Sequence, residues 1–412
     1  MGSRSFASLM ARTASAGAAL AMALSAPVAN AQDRPADLTE LPPVPTDYTP
    51  GKTPWGDWDF RGTWPIENIN NGHILFQRPA AYGNRFWVND EEFARRVEAA
   101  KRADGSYAEA SESGIGAPGT EGLAAWFENS NFGKRTSMLV SPADGQLPAL
   151  TEHGMELFKA GRSGWVPGQG YDSLADFDSW DRCVSRGFPA SMYPFRYNNG
   201  IRVFQSPGYV TILLEMLGTR VVKIYDSKEA AQAAGWGDAV EAWLGNSRGW
   251  WEGKTLVIET TNIKSGDSVT HDTYARSAAP LNMATQFTGT LDVPAFNTVP
   301  MSKQAMTVER LTMTGPDAIV HELTYSDPEV YTQPWTTRIE WTRDDDYQFF
   351  EYACHEGNYM PRDYISASRA HRADLAAGKA DPNAPDDRER FAQPFDHDPG
   401  TGPRPMPGGA GS

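Results

Sequence analysis

Residues 201–225 read IRVFQSPGYVTILLEMLGTRVVKIY, and this stretch decides the fold class. Three runs rich in β-branched and aromatic residues, Ile201–Ser206, Tyr209–Leu217 and Arg220–Tyr225, are separated only by Pro207-Gly208 and Gly218-Thr219. Turns this short leave no room for a crossover, so consecutive runs must pair antiparallel. In the middle run Val210, Ile212, Leu214 and Met216 alternate onto one apolar face, which needs a core to cover it.

The same pattern recurs downstream. Trp251 and Thr255–Thr261 flank Glu252-Gly253-Lys254; Met306–Met313 and Ala318–Tyr325 flank Gly315-Pro316-Asp317; Trp335–Arg343 and Tyr347–Cys354 flank Asp344-Asp345-Asp346. Short strands at close spacing predict a mainly β protein, an antiparallel meander forming a barrel or a sandwich, with a few flanking helices. Asn89 is placed to cap a helix beginning DEEFARRVEAAKRA, with acids in its first turn and bases in its last. Ser227–Leu244 is Ala-rich but broken at Gly235, and Pro361–Ala377 predicts a closing helix.

The 52 acidic residues outnumber the 37 lysines and arginines, for a formal charge of −15, which argues against a phosphate-backbone partner. Residues 1–31 carry two arginines and no acid, then an Ala/Leu/Met-rich stretch ending Ala29-Asn30-Ala31. They read as a secretory signal peptide cleaved after Ala31, leaving a periplasmic or secreted protein. Residues 32–54 form a Pro-rich acidic lead-in and 378–412 a Pro/Gly/Asp-rich tail, both read as disordered; a single β-rich domain fills 55–377. No other segment has the apolar length of a membrane span.

An exported chain with two cysteines, Cys183 and Cys354, predicts a disulfide between them. No Cys-x-x-Cys or His-x-x-x-His grouping accompanies the pair, so neither a metal nor another cofactor is expected. Gly114–Gly119 matches G-x-G-x-x-G but follows a polar stretch instead of an apolar strand and contains Pro118, so it reads as a loop. Gly249–Thr255 ends like a P-loop with the spacing one residue short, and reads as a hairpin turn.

A Cys183–Cys354 bond would bring Asp181-Arg182 beside His355-Glu356-Gly357-Asn358. In that arrangement His355 is the candidate general acid or base, with Glu356 or Asp181 fixing its tautomer. Arg182 and Asn358 are placed to hold a carbonyl or an anion, and Tyr352, Glu215 and Arg220 complete the candidate substrate contacts. The alternative is a braced loop corner whose charges satisfy one another. His321, on a face with Ile319, Leu323 and Tyr325, is either a hydrogen-bonded core histidine or part of a semi-polar cavity.

Several stretches resemble a large, functionally uncharacterised family of exported bacterial proteins: Arg182-Cys183, Tyr197-Asn198-Asn199, Glu215-Met216, residues 244–257 (LGNSRGWWEGKTLV), Pro334-Trp335-Thr336 and residues 351–359 (EYACHEGNY). The resemblance spans about residues 59–370 and implies export without implying an activity. Members often carry a His-Asp pair after the Glu-Met strand, where this chain has Gly218-Thr219 before Arg220; a shared site built on that histidine would be absent here. Gly62-Thr63-Trp64 resembles the G-x-W of lipocalin-like barrels, a likeness of shape only. The expected function is a cofactor-independent acid/base enzyme (hydrolase, lyase or isomerase) acting on a small aromatic or sugar-like molecule. The alternatives are a non-catalytic small-molecule-binding barrel and an envelope structural protein, and the oligomeric state is left open.

Overall fold

A computed structural model describes residues 34–66, 76–98, 134–159, 170–264 except 178, 180 and 195–197, and 301–384. Residues 1–31, read above as a signal peptide, the Gly114–Gly119 motif and the tail beyond residue 384 lie outside the described residues.

The strands are β1 (Gly62–Thr63), β2 (Leu139–Ser141), β3 (Ile201–Ser206), β4 (Tyr209–Leu214), β5 (Thr219–Ile224), β6 (Asn246–Glu252), β7 (Thr255–Thr261), β8 (Met306–Gly315), β9 (Ala318–Ser326) and β10 (Trp335–Thr342). They form one ten-stranded sheet in the order β1-β3-β4-β5-β6-β7-β8-β9-β10-β2. The sheet curls into a half-barrel, and just past β1 a bridge from Ile66 to Trp341 of β10 draws its two ends together. A single curled sheet is barrel-like, not a two-layer sandwich.

The predicted hairpins are present. Ser206 pairs with Tyr209 around Pro207-Gly208, and Glu252 with Thr255 around Gly253-Lys254, so the P-loop-like string is a two-residue turn. All neighbouring strands are antiparallel except β5 and β6, which pair parallel through Lys223 with Arg248 and Ile224 with Gly249. Gly249 permits that approach: a Cβ there would lie 2.8 Å from Ile224 Cδ1 and 3.0 Å from Val222 Cγ1.

The inward faces of the strands supply Val210, Ile212, Val222, Ile258, Leu311 and Leu323 to one continuous core, closed by Trp64, Trp335 and Trp341. Burying each such side chain contributes about 1.5–3 kcal/mol, against the entropy of ordering it. Tyr325 stacks on Trp335 with ring centroids 4.8 Å apart, and Phe76 meets Trp335 edge-on at 5.5 Å.

Three sequence expectations need correction. The segment Tyr347–Cys354 is not a strand; its contacts run to a side chain, described below. The strand from Tyr209 stops at Leu214, because Leu217 (φ 51°) and Gly218 (φ 140°) turn left-handed. The lead-in from residue 34 is a strap on the barrel: Phe86 N donates to Leu38 O (2.8 Å), Trp87 Nε1 to Glu40 O (2.8 Å), Arg338 Nη1 to Pro42 O (2.7 Å) and Lys254 Nζ to Asp47 O (3.0 Å). Its hydrogen bonds come from partners distant in sequence, which leaves no local periodicity to read.

Among the described residues four α-helices flank the sheet: α1 (90–98), α2 (Glu152–Lys159), α3 (Lys228–Ala233) and α4 (Met360–Ala376). The Ala-rich stretch after Ser227 contributes only α3, capped by Ser227 Oγ accepting from Ala230 N. At α1 the cap is reciprocal: Asn89 Oδ1 accepts from Glu92 N, and Glu92 Oε2 accepts from Asn89 N, each at 2.8 Å. Hydrogen bonds from Arg85 hold the Glu92 carboxyl down to about 2. Asn89→Ala is therefore expected to destabilise the fold by about 1 kcal/mol, read as a lower denaturation midpoint with an unchanged m-value.

Candidate functional site

Cys183 and Cys354 are bonded, with Cα atoms 5.6 Å apart. The bond joins the corner before α4 to the loop at residue 181, and Asn358 reinforces it: its Nδ2 donates to Asp181 O at 2.9 Å and to Cys183 Sγ at 3.2 Å. A cleft of about 660 Å³ opens beside this corner, lined by Asp181, Asn198, Phe350, Glu351, Tyr352, Glu356, Asn358 and Met360. Its size is that of a small-molecule site.

The cleft wall is held without a strand ladder. Glu215, buried just beyond β4, accepts from Phe350 N (2.6 Å), Tyr347 Oη (2.7 Å) and Gly200 N (2.9 Å). One carboxylate thus fastens the 347–350 segment to the barrel and gives that segment its extended course. Gly200 is required there, since a Cβ would lie 2.7 Å from Glu215 Oε2.

The structure brings together four of the candidate residues, Asp181, Tyr352, Glu356 and Asn358, in one lining. It places the others elsewhere. His355 is exposed and outside the lining, and its ring makes no hydrogen bond or ion pair among the described residues. Arg182 directs its guanidinium over the Trp243 indole, 5.7 Å from the ring centroid. Glu215 stands behind the wall.

Arg220 lies inside the barrel, where it forms a bidentate pair with Glu309: Nη1 to Oε1 at 3.0 Å and Nη2 to Oε2 at 2.5 Å. Its Nη2 also donates to Ser247 Oγ (3.1 Å) and Thr260 Oγ1 (3.2 Å). His321 Nε2 is 3.0 Å from Glu309 Oε1, and its ring packs 4.9 Å from Trp341. Arg220, Glu309 and His321 are all buried. Burial opposes ionisation of Glu309, but the Arg220 charge, with hydrogen bonds from His321 and Arg220, holds its carboxyl down to about 2. His321 is thus a hydrogen-bonded core histidine, and none of the described cavities is lined by this cluster. The sequence carries a signal for Glu309 that motif reading passes over: it is an acid on the inward face of β8, in step with Thr307 and Leu311.

Among the described residues no group of three or more His, Cys, Asp or Glu side chains is arranged to hold a metal, and no helix is long and apolar enough to cross a membrane. Compared with protein-family models, curated proteins and solved structures, the chain has no match. Its chemistry must be argued from the cleft itself. Asp181, Glu351 and Glu356 line the cleft, and among the described residues no lysine, arginine or histidine does, so the described lining favours a cation over an anion. Phe350, Tyr352 and Met360 supply apolar surface.

Proposed function

We propose that this protein is an exported small-molecule-binding half-barrel, with its ligand in the cleft beside Cys183–Cys354. The observation that carries this reading is the composition of the cleft: three acidic residues and two asparagines beside Phe350, Tyr352 and Met360, with no basic residue in the lining among the described residues. The ligand class is a small aromatic or sugar-like molecule that is neutral or positively charged. Export is supported by residues 1–31, by the resemblance to an exported family, and by the disulfide, a bond that persists in oxidising compartments.

One observation favours the enzymatic reading. Asp181 and Glu356 line the same cleft, and two carboxylates suffice for general acid and general base chemistry without metal or His355.

The test is thermal melting of the mature protein against a panel of aromatic amines, glycosides and phenolics, with their carboxylate analogues as counter-panel. A ligand at one hundred times its Kd stabilises by about 2.7 kcal/mol, a shift easily read. Glu356→Gln should abolish the shift for cationic ligands and leave the unliganded melting temperature nearly unchanged, since Glu356 is exposed. Preference for the anionic analogues would refute the ligand class, and no shift with any member of either panel would refute the binding reading. Conversion of a bound ligand to product, lost in Asp181→Asn and Glu356→Gln alike, would establish the enzyme in its place.

A further inference from the structure

A second cleft, of about 440 Å³, lies at the tip of the β3–β4 hairpin, where Pro207-Gly208, the end of β5 and Trp251 of β6 meet the strap. Its chemistry-bearing lining is Trp55, Tyr225 and Trp251 with Asp57 and Asp226. We propose that this cleft is a carbohydrate-binding site, separate from the cleft at the disulfide.

The site is built before any ligand arrives. Thr53 N donates to Asp57 O (2.9 Å) and Gly56 N to Thr53 O (3.0 Å), closing a tight turn with Gly56 at φ 101°. Within it Trp55 Nε1 donates to Asp57 Oδ2 at 2.9 Å, which fixes the indole at the mouth. Trp58 Nε1 anchors the turn to the barrel through Gly253 O (2.7 Å). On the far side Tyr225 N donates to Gly249 O (2.8 Å), and Phe60 packs on Trp251 at 5.5 Å. Preorganised aromatic rings lose little freedom on binding, so contact with them is retained as affinity.

Electrostatics selects the ligand class. Asp57 and Asp226 disfavour an anion, and Asp226 is exposed with no partner among the described residues. A cation would seek the ring faces, but Lys223 Nζ already stands 5.0 Å from the Tyr225 centroid and the Arg61 guanidinium 5.9 Å from that of Trp55. Arg61 is paired with Asp59, and the Trp55 indole occupies one oxygen of Asp57, which leaves the other oxygen of Asp57 and the Asp226 carboxylate as acceptors at the mouth. What fits is a neutral molecule with a flat apolar face for the rings and hydroxyl donors for the carboxylates, which is the surface of a sugar ring.

The experiment is isothermal titration of the mature full chain with maltotetraose, cellotetraose and chitotetraose. At least one should bind saturably; Trp55→Ala and Asp226→Asn should each weaken it at least tenfold, and Glu356→Gln in the other cleft should leave it unchanged. Asp226 is exposed, so its variant folds and keeps the test valid even where Trp55→Ala unsettles the turn. No saturable heat with any of the three, or binding indifferent to Asp226→Asn, overturns the proposal. Saturable binding of tetramethylammonium that needs Trp55 overturns the carbohydrate assignment.

Discussion

Replacing Arg220 with alanine is expected to destabilise the protein by about 3–5 kcal/mol, because the change strands a buried carboxylate. Among the described residues Glu309 would keep only His321 as a partner, while Ser247 and Thr260 would lose the cation they now help to hold. Replacing both partners with apolar residues of similar volume, Arg220→Met with Glu309→Leu, should be far milder than the single change, since most of the single-variant cost is the unpaired charge and not the loss of attraction. Urea denaturation of the two singles and the double reads the coupling. A double variant no more stable than Arg220→Ala would show that the pair acts through packing, for instance against Phe188, whose ring lies 4.5 Å from the Arg220 guanidinium.

The same cluster fixes a pH dependence. The folded-state value of Glu309, about 2, is depressed below its ordinary 4.5. A depressed carboxylate contributes stability that is fully present above about pH 4.5 and is lost as the pH falls toward 2. In Arg220→Ala the sign reverses: burial without the arginine favours the protonated acid, so the deficit of the variant should narrow on acidification. Parallel pH profiles for the two proteins would place the acid-sensitive group elsewhere.

Hairpins were legible in the sequence because each rests on local chemistry: alternation along Tyr209–Leu214, a glycine at the tip, a short turn. The disulfide was legible from an even cysteine count in a chain that opens with the pattern of an export signal. What the sequence hid is non-local. The parallel contact of β5 with β6 depends on Gly249 admitting Ile224, a fit that exists only once both strands are placed. The segment 347–354 carries the alternation of a strand, yet its backbone is held by Glu215, more than a hundred residues earlier, and no periodicity encodes a side-chain clamp. The candidate site divides along the same line. Asp181, Glu356 and Asn358 converge because a covalent bond forces them together, whereas Arg220 sits in a strand whose inward face commits it to the core, and His355 falls on the outer side of its turn.

Reducing Cys183–Cys354, or changing Cys354 to serine, is expected to lower the unfolding free energy by about 3–5 kcal/mol, since the bond spans 171 residues and closure of a long loop removes much entropy from the unfolded chain. The functional consequence should precede global unfolding. The ten strands pair without help from the bond, while the corner beyond Phe350 has no ladder and is tied by the Glu215 clamp before it, by the Asn358 contacts and by the packing of Tyr352 on the core. Under reductant the far-ultraviolet signature of the sheet should therefore persist at temperatures where ligand no longer binds the larger cleft, and proteolysis should open the chain within residues 347–358. Binding of oligosaccharide at the second cleft, whose walls belong to the β3–β4 tip and the strap, should survive the same treatment. Alkylation of both thiols without reductant would remove the premise. Simultaneous loss of sheet signal and of both binding activities would show that corner and barrel unfold as one cooperative unit, with the disulfide acting on the fold as a whole and not on the cleft it borders.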